Sequence, residues 1–191
     1  MTGEAFIRLI RERRTVYDFK PDPVPRPVLE QALEAAVWAP NHGLSEPWRF
    51  HVPGMKTRAV LAQIYARLRA DKRCEPDTDA WRQTYEKALQ RFLAVPGMVL
   101  VGQQLAEDPL QREEDAAAVA CAIQNFQLAM WAQEVGVQWS TGPVIRAVET
   151  YELLGIEPKK EKLVALLYYG YPACVGRSRR SDWREKTRWL D

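Results

Sequence analysis

Between Asp115 and Glu134 the chain carries no charged residue, and no other feature restricts its fold so strongly. The uncharged stretch, 116–133, approaches the length that spans a bilayer. Four amides oppose that use, because Gln124, Asn125, Gln127 and Gln133 would all need partners in lipid. The many alanines suit a helix packed by protein on nearly every side, so the stretch predicts a central buried helix. Cys121 lies inside it and is expected to be an inert packing thiol.

The segments around this helix predict a mixed structure. Phe6, Ile7, Leu9 and Ile10 are spaced as on a short helix that ends in an arginine-rich turn before the proline-rich 21–27 segment. Residues 28–38 repeat apolar positions at threes and fours and stop near Pro40, a second helix. The loop PNHGLSEPW at 40–48 follows, and Trp48, Phe50 and Val52 then alternate as in a half-buried strand. Trp48 and Phe50 are expected in the core and His51 on the solvent face. Residues 56–70 and 78–93 look like two surface helices. Met98 to Val101 and Leu163 to Tyr169 read as buried strands, and Val135 to Trp139 as a strand after the central helix. Without strict βα alternation, repeat or long linker, residues 1–191 are expected to form a single α+β domain with a four- or five-stranded sheet covered by helices. The tail from Gly176 is charged yet holds Trp183 and Trp189, which suggests that it lies on something.

Charge and composition remove several functions. Lys plus Arg number 27 against 25 for Asp plus Glu, a net charge of +2, so neither nucleic acid nor an anionic membrane is an expected partner. Cys74, Cys121 and Cys174 are far apart and odd in number, which argues against a disulfide framework or zinc site and fits reduced thiols in a cytoplasm. No apolar run follows the N-terminal arginines, so a cleaved secretory signal is not expected. GxGxxG, GxxxxGK[ST] and GxSxG are all missing, and His42 and His51 cannot build a metal cluster with neighbouring residues. An enzyme of this composition would borrow its reactive group from a cofactor.

Two basic sets could hold an anion. Arg13, Arg14 and Thr15 fall where the first helix should end, and Arg177, Arg179 and Arg180 follow the GYPA turn at 170–173. Guanidinium groups with a hydroxyl suit a phosphate or the edge of a flavin ring. Arginines near a helix C-terminus are also favoured by the macrodipole alone, by roughly 0.3–1 kcal/mol.

The order of these motifs decides more than each does alone: Arg13 to Thr15, APNHGLSEPWRF at 39–50, WSTG at 139–142, then GYPA and RSR at 177–179. Over residues 6–182 this resembles the nitroreductase family, and its small, minimal members in particular. The resemblance implies a mostly antiparallel sheet flanked by helices, FMN as cofactor, NAD(P)H as co-substrate, and an intertwined homodimer in which the C-terminal segment reaches onto the partner. It places Arg13 and Thr15 at the phosphate and ribityl chain, with Arg14 between them on the same cavity and Arg177 and Arg179 closing the phosphate end. Trp38, Asn41, His42 and Ser45 would reach the flavin of the partner subunit. Trp139, Ser140, Thr141 and Gly142 would lie beside the reactive edge, where small residues permit close approach. Hydride would pass by a ping-pong scheme from NAD(P)H through flavin N5 to a nitroaromatic, a quinone or a related acceptor. Tyr17 stands where many relatives carry a basic residue, which implies a lower flavin potential unless Arg14 turns inward, and Glu46 stands where an amide is common. The alternatives are dehalogenation or flavin degradation on the same fold, or a flavin-free module whose arginines bind an acidic partner and whose tryptophan tail dimerises.

Overall fold

The computed structural model describes residues 2–190. Four strands, β1 (Trp48–His51), β2 (Gly97–Gln104), β3 (Gly136–Ser140) and β4 (Glu161–Gly170), form one antiparallel sheet in the order β1-β2-β4-β3. Six α-helices accompany it among the described residues: α1 (Gly3–Glu12), α2 (Arg26–Val37), α3 (Met55–Asp71), α4 (Asp79–Leu93), α5 (Pro109–Trp131) and α6 (Val148–Leu154).

The uninterrupted apolar run in β2 follows from burial on both faces. Val99 and Val101 enter one core with Ala118, Ala122, Ile123 and Phe126 of α5 and with Leu29, Ala32 and Ala36 of α2. Met98 and Leu100 enter a second core with Leu61 and Ile64 of α3 and Phe92 of α4. Strands sandwiched in this way have no polar face to alternate. Trp48 is buried and Phe50 partly buried against the first core, as their alternation predicts.

Several expectations need correction. The helix at 55–71 is not a surface helix, since Leu61, Ala62, Ile64, Ala66 and Ala70 are buried against the second face of the sheet. His51 does not face open solvent: its Nε2 lies 2.6 Å from Glu161 Oε1, and both side chains are largely covered. Gly102 makes room for that pair, because a β-carbon there would occupy the place of the Glu161 carboxylate. The central helix α5 is packed on one side only within the chain. Ala118, Val119, Ala122, Ile123, Phe126 and Met130 are buried, whereas Ala116, Ala117, Ala120 and Cys121 are exposed, so Cys121 is not a core thiol. α2 and the sheet cover one flank of α5, and among the described residues the flank with Ala116, Ala117, Ala120 and Cys121 is left exposed. The tail's tryptophans, Trp183 and Trp189, are exposed. No helix among the described residues is long and apolar enough to cross a membrane.

The segment after α1 acts as a partial fifth strand. Thr15 bridges Val137 of β3 in parallel sense, and the Val16 N–H donates to the Val137 carbonyl at 3.3 Å. The buried Val16 side chain fills the space left by Gly136, where a β-carbon would overlap it. A Gly136→Ala variant is therefore expected to lose about 2 kcal/mol of stability through overpacking. Its thermal midpoint, followed by circular dichroism, should fall by roughly 4–8 °C.

Candidate functional site

Residues 13–20 gather the site because their backbone is bonded on two sides. Beyond the Val137 contact, the Lys20 N–H donates to the Tyr171 carbonyl at 2.8 Å and the Ala173 N–H to the Asp18 carbonyl at 2.9 Å. Arg13 to Asp18 are thereby set between β3 and the chain that leaves β4. Two cavities open here and share Tyr17 and Asp18 as a common wall.

The smaller cavity, about 330 Å³, is basic: Arg13, Arg14, Thr15, Arg177 and Arg180 line it, with Asp18 as its one carboxylate. None of these four arginines makes a carboxylate ion pair among the described residues. Arg13 is half-buried, and its guanidinium donates to Gln127 Oε1 of α5 at 3.4 Å. Burial, then the charges of Arg180 and Arg14, push the Arg13 pKa below its ordinary value. Crowded guanidinium groups of this kind are stabilised by a multiply charged anion such as a phosphate. The Arg14 guanidinium turns back onto the carbonyls of Arg11 and Arg13, at 2.5 and 2.8 Å, the position that the helix end itself favours.

The larger cavity, about 470 Å³, reaches from Ser140 and Gly142 on the β3 side to Tyr65, Arg69 and Arg91 on α3 and α4. Gly142 has only the Ser140 hydroxyl near its missing β-carbon, at 3.5 Å, so a planar group could approach its backbone closely. Tyr17 is exposed and stands between the two cavities, which makes it the residue at their junction.

Arg13, Arg14, Thr15, Ser140, Gly142 and Arg177 thus come together in one continuous recess. Arg179 does not line it, and Arg180 does. Trp139 and Thr141 are exposed beside the recess. The loop residues Trp38, Asn41, His42 and Ser45 line neither cavity. Trp38 and His42 are exposed, Asn41 Oδ1 accepts from the Glu46 N–H at 3.0 Å, and the Ser45 hydroxyl donates to the buried Asp115 carboxylate at 2.7 Å. These two bonds hold a loop in which Leu44 and Glu46 adopt positive φ, 53° and 44°. Among the described residues no group of three or more His, Cys, Asp or Glu could hold a metal ion. Sequence reasoning missed Tyr65, Arg69 and Arg91, whose only signal was an ordinary helical charge pattern.

Comparison with known proteins places the fold in a family. The nitroreductase family model matches residues 10–171. The Bacillus subtilis protein YfhC, assigned by name to the NAD(P)H nitroreductases, is 36% identical over 86% of this chain and 82% of its own. The chain belongs to the nitroreductase family. Among solved structures, a nitroreductase-like family protein from Bacillus cereus superposes with a TM-score of 0.82 at 28% identity, covering 100% of this chain and 98% of that one. The FMN-dependent nitroreductase NfnB of Mycobacterium smegmatis, solved with NADPH, has the same fold, with a TM-score of 0.79 at 22% identity and 99% coverage of both chains.

One wall of this nitroreductase recess should report on pH. Burial raises the pKa of the Tyr168 phenol and, on the opposite face of β4, that of Tyr169, against smaller opposing effects of nearby arginines. A raised folded pKa means that the stabilising contribution is complete below the unfolded value of about 10 and is lost as pH rises above it. The urea midpoint is therefore expected to stay level from pH 8 to 9.5 and to fall by pH 11, with a smaller alkaline fall in Tyr168→Phe.

Proposed function

We propose that this chain is an FMN-dependent oxidoreductase that takes electrons from NAD(P)H and delivers them to a small conjugated acceptor, a nitroaromatic or a quinone. The observation that supports it best is the junction at Tyr17 of an arginine-lined cavity and an aromatic one, with the open backbone of Gly142 at the mouth of the second. Its family relatives include an FMN-dependent enzyme solved with NADPH.

When bound, FMN supplies the centre that accepts hydride and passes it on, which the side chains of this recess lack. Arg13, Arg177 and Arg180 would neutralise its phosphate, with the Thr15 hydroxyl as an additional donor. Gln127 fixes the Arg13 guanidinium from the opposite side. The backbone at Ser140 to Gly142 would lie along the ring edge, and Tyr17 would donate a hydrogen bond where a charged residue could otherwise stand. The ping-pong order follows from having one aromatic chamber for donor and acceptor in turn.

A homodimer would complete the site. The uncharged exposed flank of α5, the apolar face of α1 at Phe6, Ile7 and Ile10, and the tryptophan tail all await cover. In such a pair Trp38, Asn41, His42 and Ser45 would reach the flavin of the second copy, and the C-terminal segment would cross over.

The absorption spectrum of the purified protein under anaerobic conditions tests this directly. A flavin band that bleaches with NADH or NADPH is expected, and no band after reconstitution with FMN would overturn the proposal. Arg13→Gln should weaken FMN binding by about tenfold or more, read by fluorescence titration. Tyr17→Lys should raise the flavin reduction potential by roughly 20–40 mV, at about 30 mV for each 1.4 kcal/mol in a two-electron couple. An unchanged potential would remove Tyr17 from the site.

A further inference from the structure

The 470 Å³ cavity has a composition that narrows the acceptor. Its inner wall is a run of aromatic rings. Tyr65 and Phe92 lie with centroids 5.0 Å apart at 40°, and Phe92 meets Tyr168 edge-on at 5.8 Å and 88°. Such a wall accepts a flat aromatic guest by stacking and edge contacts.

The arginines of α3 and α4 are sorted by position. Arg58 donates to the carbonyls of Val95 and Pro96, Arg67 pairs with Glu149 at 2.5 Å, and Arg82 pairs with Asp79 at 3.1 Å. Arg69 and Arg91, the two that line the cavity, make no carboxylate ion pair among the described residues. Arg69 donates only to the Tyr65 hydroxyl, at 3.2 Å, with its guanidinium 5.9 Å from the Tyr65 ring centre. Asp18 is the one carboxylate in the lining and stands at the other end, shared with the arginine-lined cavity. The chamber is therefore aromatic in the middle, positive at its α3 and α4 end, and open to the Gly142 backbone at the other. The Tyr168 phenol, like any tyrosine protonated at neutral pH, lines the cavity and can donate to a bound oxygen.

We propose that this chamber selects an aromatic acceptor bearing a carboxylate, with its ring along Tyr65, Phe92 and Tyr168 and its anion held by Arg69 and Arg91. The assignment of the Gly142 end as the reducing end rests on the flavin-dependent function proposed above. For a nitro acid the reduction balances as one hydride equivalent from NAD(P)H and one proton, which convert nitro to nitroso and release water. The carboxylate takes no part in that step and serves only to orient the ring. Bidentate guanidinium recognition suits this task, and lysine would not reproduce it.

Calorimetric titration of the purified protein with 4-nitrobenzoate and with uncharged 4-nitrobenzamide tests the assignment. The acid is expected to bind at least tenfold more tightly. Arg69→Gln and Arg91→Gln should each remove about tenfold of that affinity while leaving the amide unchanged, and kcat/KM should follow the same split. Both substitutions are on partly or fully exposed side chains, so folding is retained. Equal affinity for acid and amide, equal loss for both in the variants, or a loss confined to NADPH would each overturn the proposal, the last by assigning the arginines to the dinucleotide phosphate. Calorimetry needs no turnover. Protein that binds no flavin but keeps an arginine-dependent preference for the acid would sink the flavin function and keep the carboxylate pocket, and protein that bleaches with NADPH but shows no preference would do the reverse.

Discussion

The contact of Val16 with Gly136 fixes the geometry on which the recess depends. A side chain at 136 would push the 15–16 segment off β3, and with it the Thr15 bridge and the Val16 hydrogen bond. The same segment is tied through Asp18 and Lys20 to Ala173 and Tyr171 beyond β4. One short stretch of extended backbone thus draws the end of α1 and the start of the tail to the same edge of the sheet. Arg13 and Arg180, far apart in sequence, meet there closely enough to oppose each other's charge. Electrostatic crowding of this kind would become a source of affinity for an anion.

How much of this could be read from sequence depended on whether a periodic pattern recorded it. The run at 98–101 and the uncharged stretch at 116–133 announced β2 and α5 because burial on both faces, or a long uncharged face, leaves a compositional trace. The family resemblance brought Arg13, Thr15, Ser140, Gly142 and Arg177 to one place, and all five line the recess. The pairing of 15–16 with β3 left no trace, since two residues carry no period. The choice of Arg180 over Arg179 was equally invisible, because the tail has no regular structure there and so no period to read. α3 was misjudged because three of its five buried residues are alanines, which weigh little in an apolar pattern although they set how closely the helix meets the sheet.

The error over Cys121 has a different origin. Absence of charge predicted a helix covered on nearly every side, and it could not show which flank the chain itself leaves exposed. Within the chain, α2 and the sheet take one flank of α5 and leave Ala116, Ala117, Ala120 and Cys121 open. Glu113 and Glu114 precede this flank and Glu134 follows it, so charge returns as soon as the helix leaves the stretch. A flank bounded so sharply is better suited to a closely approaching helix than to solvent, since small side chains permit short separations between helix axes.

The proposed homodimer joins that flank to the loop at 38–46. Asp115, at the start of the buried side of α5, holds Ser45 at 2.7 Å, so the loop is positioned by the same helix whose open flank would meet the second copy. Trp38 and Leu44 stand 81% and 82% exposed on this loop and would offer apolar surface to a second copy. Positive φ at Leu44 and Glu46 keeps the loop out of its relaxed form, and the bonds from Asn41 and to Asp115 hold it there. A loop strained, anchored and apolar at its tip would suit contact with a second copy. Projection from α5 toward a neighbouring copy would put the tip over a recess that belongs to that copy, which is why loop residues singled out with the arginines can serve one kind of site without lining the recess of their own chain.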